Sequence, residues 1–123
     1  MRNVLRRWEA NTISGRPRLE LVSALVLAPL LEEAVFRLAF FRLAAARPAW
    51  RGRVMLGSVA LFGLMHVRFG RWFVGYACAG GLMLWATYAR AGYWAAVLLH
   101  AAANLVDLSG GWRRYLYQLG RRD

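Results

Sequence analysis

The chain contains no lysine, a single cysteine, three prolines and only six acidic residues. The lone Cys78 excludes an intramolecular disulfide framework. With so few acids, 17 arginines leave a net charge of +11. So basic a balance is one signature of nucleic-acid binding. These arginines, however, flank apolar runs instead of forming a stripe among polar neighbours. Arginine in that position orients membrane segments and meets anionic headgroups, so the pattern speaks for a bilayer as partner and against nucleic acid. Internal repeats and low-complexity tracts are not evident. No cleavable signal peptide is expected, because residues 1–18 are polar and basic and the first apolar run carries two glutamates and no small-residue cleavage site.

What the chain has in abundance is apolar length. Hydrophobic residues make up 59%, above the roughly 45–50% of soluble domains, and 123 residues allow one domain. Four apolar runs stand out: Leu19 to Phe41, Val54 to Val67, Trp72 to Tyr88 and Tyr93 to Leu108. The first is long enough to cross a hydrocarbon core of about 30 Å, with Pro29 expected to kink it or to mark a helical restart. The second is short for a span. The third carries Gly75, Ala77, Ala79, Gly80 and Gly81, small residues that let membrane helices approach closely. Arg42 to Arg53 reads as the first loop and Ala89 to Gly92 as the last. The expected architecture is therefore all-α: a polytopic membrane protein with a four-helix transmembrane core of short or kinked helices over 19–108, and no sheet. A basic segment, 1–18, is either interfacial or a disordered tail, and a basic tail follows over 109–123. Eleven loop arginines fall on the side of the termini against five on the other, which puts both termini in the cytoplasm.

Polar residues inside these runs are few, and intramembrane ionisable groups are costly and tend to be functional. Glu32, Glu33 and Arg37 lie in the first run, His66 ends the second, and His100 and Asn104 lie in the fourth. At about 100° per residue, Glu33 and Arg37 fall within about 40° of each other and can pair, whereas Glu32 lies about 140° from Arg37. Glu33 and Arg37 are thus supporting residues, and Glu32 is the free carboxylate. A carboxylate beside a histidine can hold a water and take its proton. His100 and Asn104, four apart on one helical face, can donate hydrogen bonds to an oxyanion. Together the four suggest a peptide-bond hydrolase. Competing chemistries lack their inventory: there is no His-Glu-x-x-His, no Gly-x-Ser-x-Gly and no second buried aspartate beside Asp107. Two histidines and two glutamates can bind zinc, but not at any known ligand spacing. Cys78, in an apolar helix, reads as packing. His100 alone would read as a packed histidine and Asn104 alone as interhelical glue.

In order, Glu32-Glu33-Ala34-Val35-Phe36-Arg37 matches Glu-Glu-x-x-x-Arg, Phe62-Gly63-Leu64-Met65-His66 matches Phe-x-x-x-His, and His100-Ala101-Ala102-Ala103-Asn104 matches His-x-x-x-Asn. Over roughly residues 26–108 the chain resembles the CAAX protease and bacteriocin-processing family of intramembrane glutamic endopeptidases. The resemblance implies a membrane-embedded peptidase with no cofactor and no metal. In it Glu32 and His66 would activate water, His100 and Asn104 would form the oxyanion site, and Glu33 and Arg37 would support them. The substrate would be a membrane-anchored protein or peptide. The chain is close to a minimal four-helix core, which speaks against a wide lipid vestibule and leaves room for a homo-oligomer or a partner to complete the cavity. The arginine-rich composition points to a bacterium and its cytoplasmic membrane, and to a role in processing or sorting. A non-catalytic immunity or scaffold protein of the same fold is the alternative.

Overall fold

The computed structural model describes residues 16–110 and 118–119. The expected basic segment, up to residue 15, and most of the basic tail lie outside the described residues. Within them all regular structure is helical and there is no strand. Four helices carry the fold: α1 over 17–46, α2 at Arg51–Met65, α3 over 71–91 and α4 over 93–110.

α1 alternates α and π segments: Pro17–Val22, π over Ser23–Leu27, Ala28–Glu33, π over Ala34–Ala39, then Phe40–Ala46. Pro29 causes the first widening. It has no N–H to give and its ring crowds the carbonyl four residues back, and the π turn before it takes up the misfit without breaking the helix. The apolar run predicts a helix ending at Phe41 and a loop over 42–53. The structure corrects both. Leu43-Ala44-Ala45-Ala46 favours helix, and Arg42 is carried along with it. The helix stops at Arg47 (φ −134°, ψ 69°), where the following Pro48 disfavours helical backbone. A single 3₁₀ turn, Pro48–Trp50, leads into α2.

The expected last loop, 89–92, shrinks to one residue. Gly92 has φ 81° and ψ −174°, a conformation open to glycine and strained for other residues, and the chain reverses there. The proof is the hydrogen bond from the Tyr76 hydroxyl to Asp107 Oδ1, 2.6 Å long. In a straight helix those residues would be roughly 46 Å apart. α3 and α4 are therefore an antiparallel hairpin. α1 runs antiparallel to α4, with Ala24 opposite Asn104 and Glu33 opposite His100. It runs parallel to α3, with Arg37 near Gly81 and Phe41 near Trp85.

One half of the bundle is closed. Phe41 packs on Trp85 and Tyr88, with ring centroids 4.2 and 4.5 Å apart. Buried Ser58 donates to the Phe36 carbonyl and accepts from Trp85 Nε1. α2 meets α3 closely at Gly63, where an added Cβ would lie 2.2 Å from Cys78 Sγ and 3.0 Å from the Val74 carbonyl. Outward, every helix presents large apolar side chains, among them Leu31 at 65% and Leu98 at 70% exposure. One helical stretch of the described residues, Arg71–Ser109, is long and apolar enough to cross a membrane, although Gly92 folds it in two. α2, with 15 residues, spans only about 22 Å.

Candidate active site

The other half of the bundle is open. A cavity of about 680 Å³ runs from a rim at Arg16 and Arg68 down to Glu32, His66 and His100. Its walls are largely apolar and mix small residues (Ala24, Ala28, Ala77, Gly80, Ala103) with large ones such as Phe69, Phe73 and Met83.

The floor is assembled by the irregularities of the helices. Glu32 and Glu33 close the α segment between the two π stretches of α1. His66 caps α2 with φ −92° and ψ 6°, in the bridge region of backbone space where many active-site residues sit. Its Nδ1 lies 2.7 Å from the Phe62 carbonyl. A carbonyl only accepts, so Nδ1 carries the proton and Nε2 of the neutral ring is left as an acceptor. That Nε2 is 3.9 Å from Glu32 Oε2. His100 Nε2 approaches the same oxygen at 3.6 Å. Glu32 Oε2 is buried and takes no hydrogen bond among the described residues. Glu32, His66 and His100 thus converge on one point although His66 ends its helix and Glu32 lies mid-helix.

Behind them lies a layer without solvent exposure. Glu33 Oε1 is 2.8 Å from His100 Nδ1, and Glu33 Oε2 is 3.2 Å from Arg37 Nε. The latter is an ion pair whose angle falls short of a hydrogen bond, since neither atom has a hydrogen-bond partner. Arg37 Nη2 donates to the Gly81 carbonyl at 3.3 Å, and its guanidinium sits 4.3 Å over the Phe62 ring. The same ring lies edge-on to His100 and tilted against His66, so Phe62 is the plate that spaces the cation from both imidazoles. The sequence reading paired Glu33 with Arg37. It missed Glu33 as the anchor of His100, a contact between residues 67 apart that no local spacing signals.

Asn104 lines the cavity too, and its Nδ2 donates to the Ala24 carbonyl at 2.7 Å. Pro29 is the reason. In the π turn the Ala28 N–H bonds the Ser23 carbonyl, and the next N–H in register would belong to residue 29, a proline. The Ala24 carbonyl is orphaned, and an orphan in a helix bundle needs a side-chain donor. Asn104 supplies it with one N–H and keeps a second for the cavity. Two further cavity residues escaped the sequence reading as a pair, Tyr76 and Asp107.

A family model described as type II CAAX prenyl endopeptidase Rce1-like matches residues 15–106. Comparisons with curated proteins and with solved structures give no match.

Proposed function

The chain belongs to the Rce1-like family of type II CAAX prenyl endopeptidases, a membrane-embedded protease family, and from that premise we propose that it is a glutamic-type intramembrane endopeptidase that needs no metal. The observation that carries the reading is the unpartnered Glu32 Oε2 facing two imidazole Nε2 atoms at 3.6 and 3.9 Å. Those gaps are too long for direct hydrogen bonds and suit a bridging water.

In this mechanism the water donates one hydrogen to Glu32 and the other to His66 Nε2, which turns its lone pair toward the scissile carbonyl. Glu32 takes the proton as the O–C bond forms. The charge that develops on the carbonyl oxygen is met by the second N–H of Asn104 and by His100 Nε2–H. That role calls for a proton on both ring nitrogens of His100, Nδ1–H donating to Glu33 and Nε2–H to the oxyanion. Collapse of the tetrahedral intermediate breaks the C–N bond, and the proton on Glu32 passes to the leaving amine. Arg37, 3.2 Å from Glu33 Oε2, holds that carboxylate in place.

We further read the four helices as the membrane-embedded core, their outward apolar side chains facing lipid and their flanking arginines meeting anionic headgroups. Both termini are cytoplasmic in this reading. The largely apolar cavity suits an extended peptide of a membrane-anchored substrate, cut during processing or sorting, with a second copy of the chain as a candidate partner. One observation favours the alternative of a non-catalytic scaffold: half of Asn104's donor capacity is spent tying α4 to α1.

The test is reconstitution in lipid nanodiscs with a membrane-protein fraction as substrate and 1,10-phenanthroline present. Cleavage that resists the chelator and disappears in Glu32→Gln supports the reading. Cleavage that the chelator stops, or that survives Glu32→Gln, contradicts it.

A further inference from the structure

We propose that Asp107 is a cation-recognising subsite that seats a lysine or arginine side chain of the substrate about three residues from the bond that is cut, an inference that rests on the cavity being a peptidase site. His100, Asn104 and Asp107 follow one another at helical spacing and share one face of α4 to within about 60°. All three line the same cavity. Asp107 is only 6% exposed, and its one hydrogen bond among the described residues is the 2.6 Å contact in which the Tyr76 hydroxyl donates to Oδ1. A carboxylate offers about four acceptor positions, so most of its capacity is open. In a chain with 17 arginines, no ion pair joins Asp107 to an arginine among the described residues. The rim arginines do not fill that role: Arg68 stacks on Phe69 and Arg16 has another partner.

Distance then sets the register. Asp107 is two turns beyond His100, about 10.5 Å along the helix, which an extended peptide at about 3.3 Å per residue covers with three residues. The direction is toward the end of α4, where a single-span substrate leaves the hydrocarbon and carries its flanking Lys or Arg. Tyr76 is the positioning residue, holding one carboxylate oxygen so that the other faces the cavity. The family match ends at residue 106, so Asp107 lies outside the stretch it covers.

The experiment uses the full chain in lipid nanodiscs, as wild type and as Glu32→Gln, which cannot turn over and lacks the competing charge. The probes are fluorescent apolar single-span peptides with one flanking Lys walked through successive positions, each with a Gln counterpart, and binding is read by anisotropy. At the best position Lys should bind about tenfold or more tighter than Gln, the scale of a hydrogen bond to a charged group. Asp107→Asn should bring the pair within about twofold. Tyr76→Phe, which keeps the carboxylate but releases it, should weaken the Lys preference without removing it, and unchanged binding of the Gln peptide by Asp107→Asn guards against a folding defect in that variant. A Lys preference absent from the start, or one that survives Asp107→Asn, overturns the subsite. Selective binding without cleavage by the wild type would contradict the peptidase and leave the subsite standing; cleavage with no Lys preference would do the reverse.

Discussion

Glu33→Gln separates two roles that one carboxylate fills. Glu33 and Arg37 have no solvent exposure, and their charged atoms lie 3.2 Å apart. Removing one partner of such a pair costs about 3–5 kcal/mol, because the other charge stays buried without compensation. Arg37 would retain the Gly81 carbonyl, the Phe62 face and the more distant charge of Glu32. Removing both charges, in Glu33→Gln with Arg37→Met, takes the uncompensated cation away, and apolar replacement of buried pairs is often neutral. The double variant should therefore recover most of the loss, so the two single losses are far from additive. Activity should not recover with it, since His100 Nδ1 has lost its anion in both variants; a fall of about 10–100-fold is the scale for an orienting carboxylate. Stability is read by SDS titration in mixed micelles, with the fluorescence of the six tryptophans as signal, and activity by cleavage in nanodiscs. Additive losses would refute the pairing. A double variant that is both stable and fully active would refute the anchoring of His100.

Two further outcomes follow from the packing. Gly63→Ala drives a Cβ to within 2.2 Å of Cys78 Sγ and should destabilise by about 1–3 kcal/mol, the range for overpacking. Adding Cys78→Ala should recover part of that loss, and thermal unfolding in detergent checks it. Asn104→Ala removes both the donor to the Ala24 carbonyl and the proposed oxyanion donor. It should lower stability by about 1–3 kcal/mol and cleavage by about 10²–10³-fold; a stability loss with normal turnover would assign Asn104 a structural role only.

The helical class and the run of polar residues were legible because apolar length and the i, i+4 rule are local properties. Glu33 with Arg37 follows from spacing, and so does the shared face of His100 and Asn104. Helix ends were less legible. Arg42 and Arg51 read as loop residues by charge, yet both lie on helices, where a long apolar stem lets arginine cover helix surface with its head outward. The contacts that build the floor are tertiary. His100 with Glu33, and Asn104 with Ala24, join residues 67 and 80 apart. The second has a local cause all the same: Pro29 orphans the carbonyl that Asn104 satisfies, but the π turn that selects Ala24 and the helix that brings Asn104 to it come only with the fold.

The measurement closest to the central claim compares, by mass spectrometry, the terminal peptides of membrane proteins in cells that express either the wild type or Glu32→Gln at equal levels. Losing the base should lower cleavage by about 10²–10⁴-fold. New termini that form with the wild type and vanish with Glu32→Gln are the predicted result, and they name the substrate. The same new termini with both proteins would contradict the assignment of Glu32 as the group that activates water.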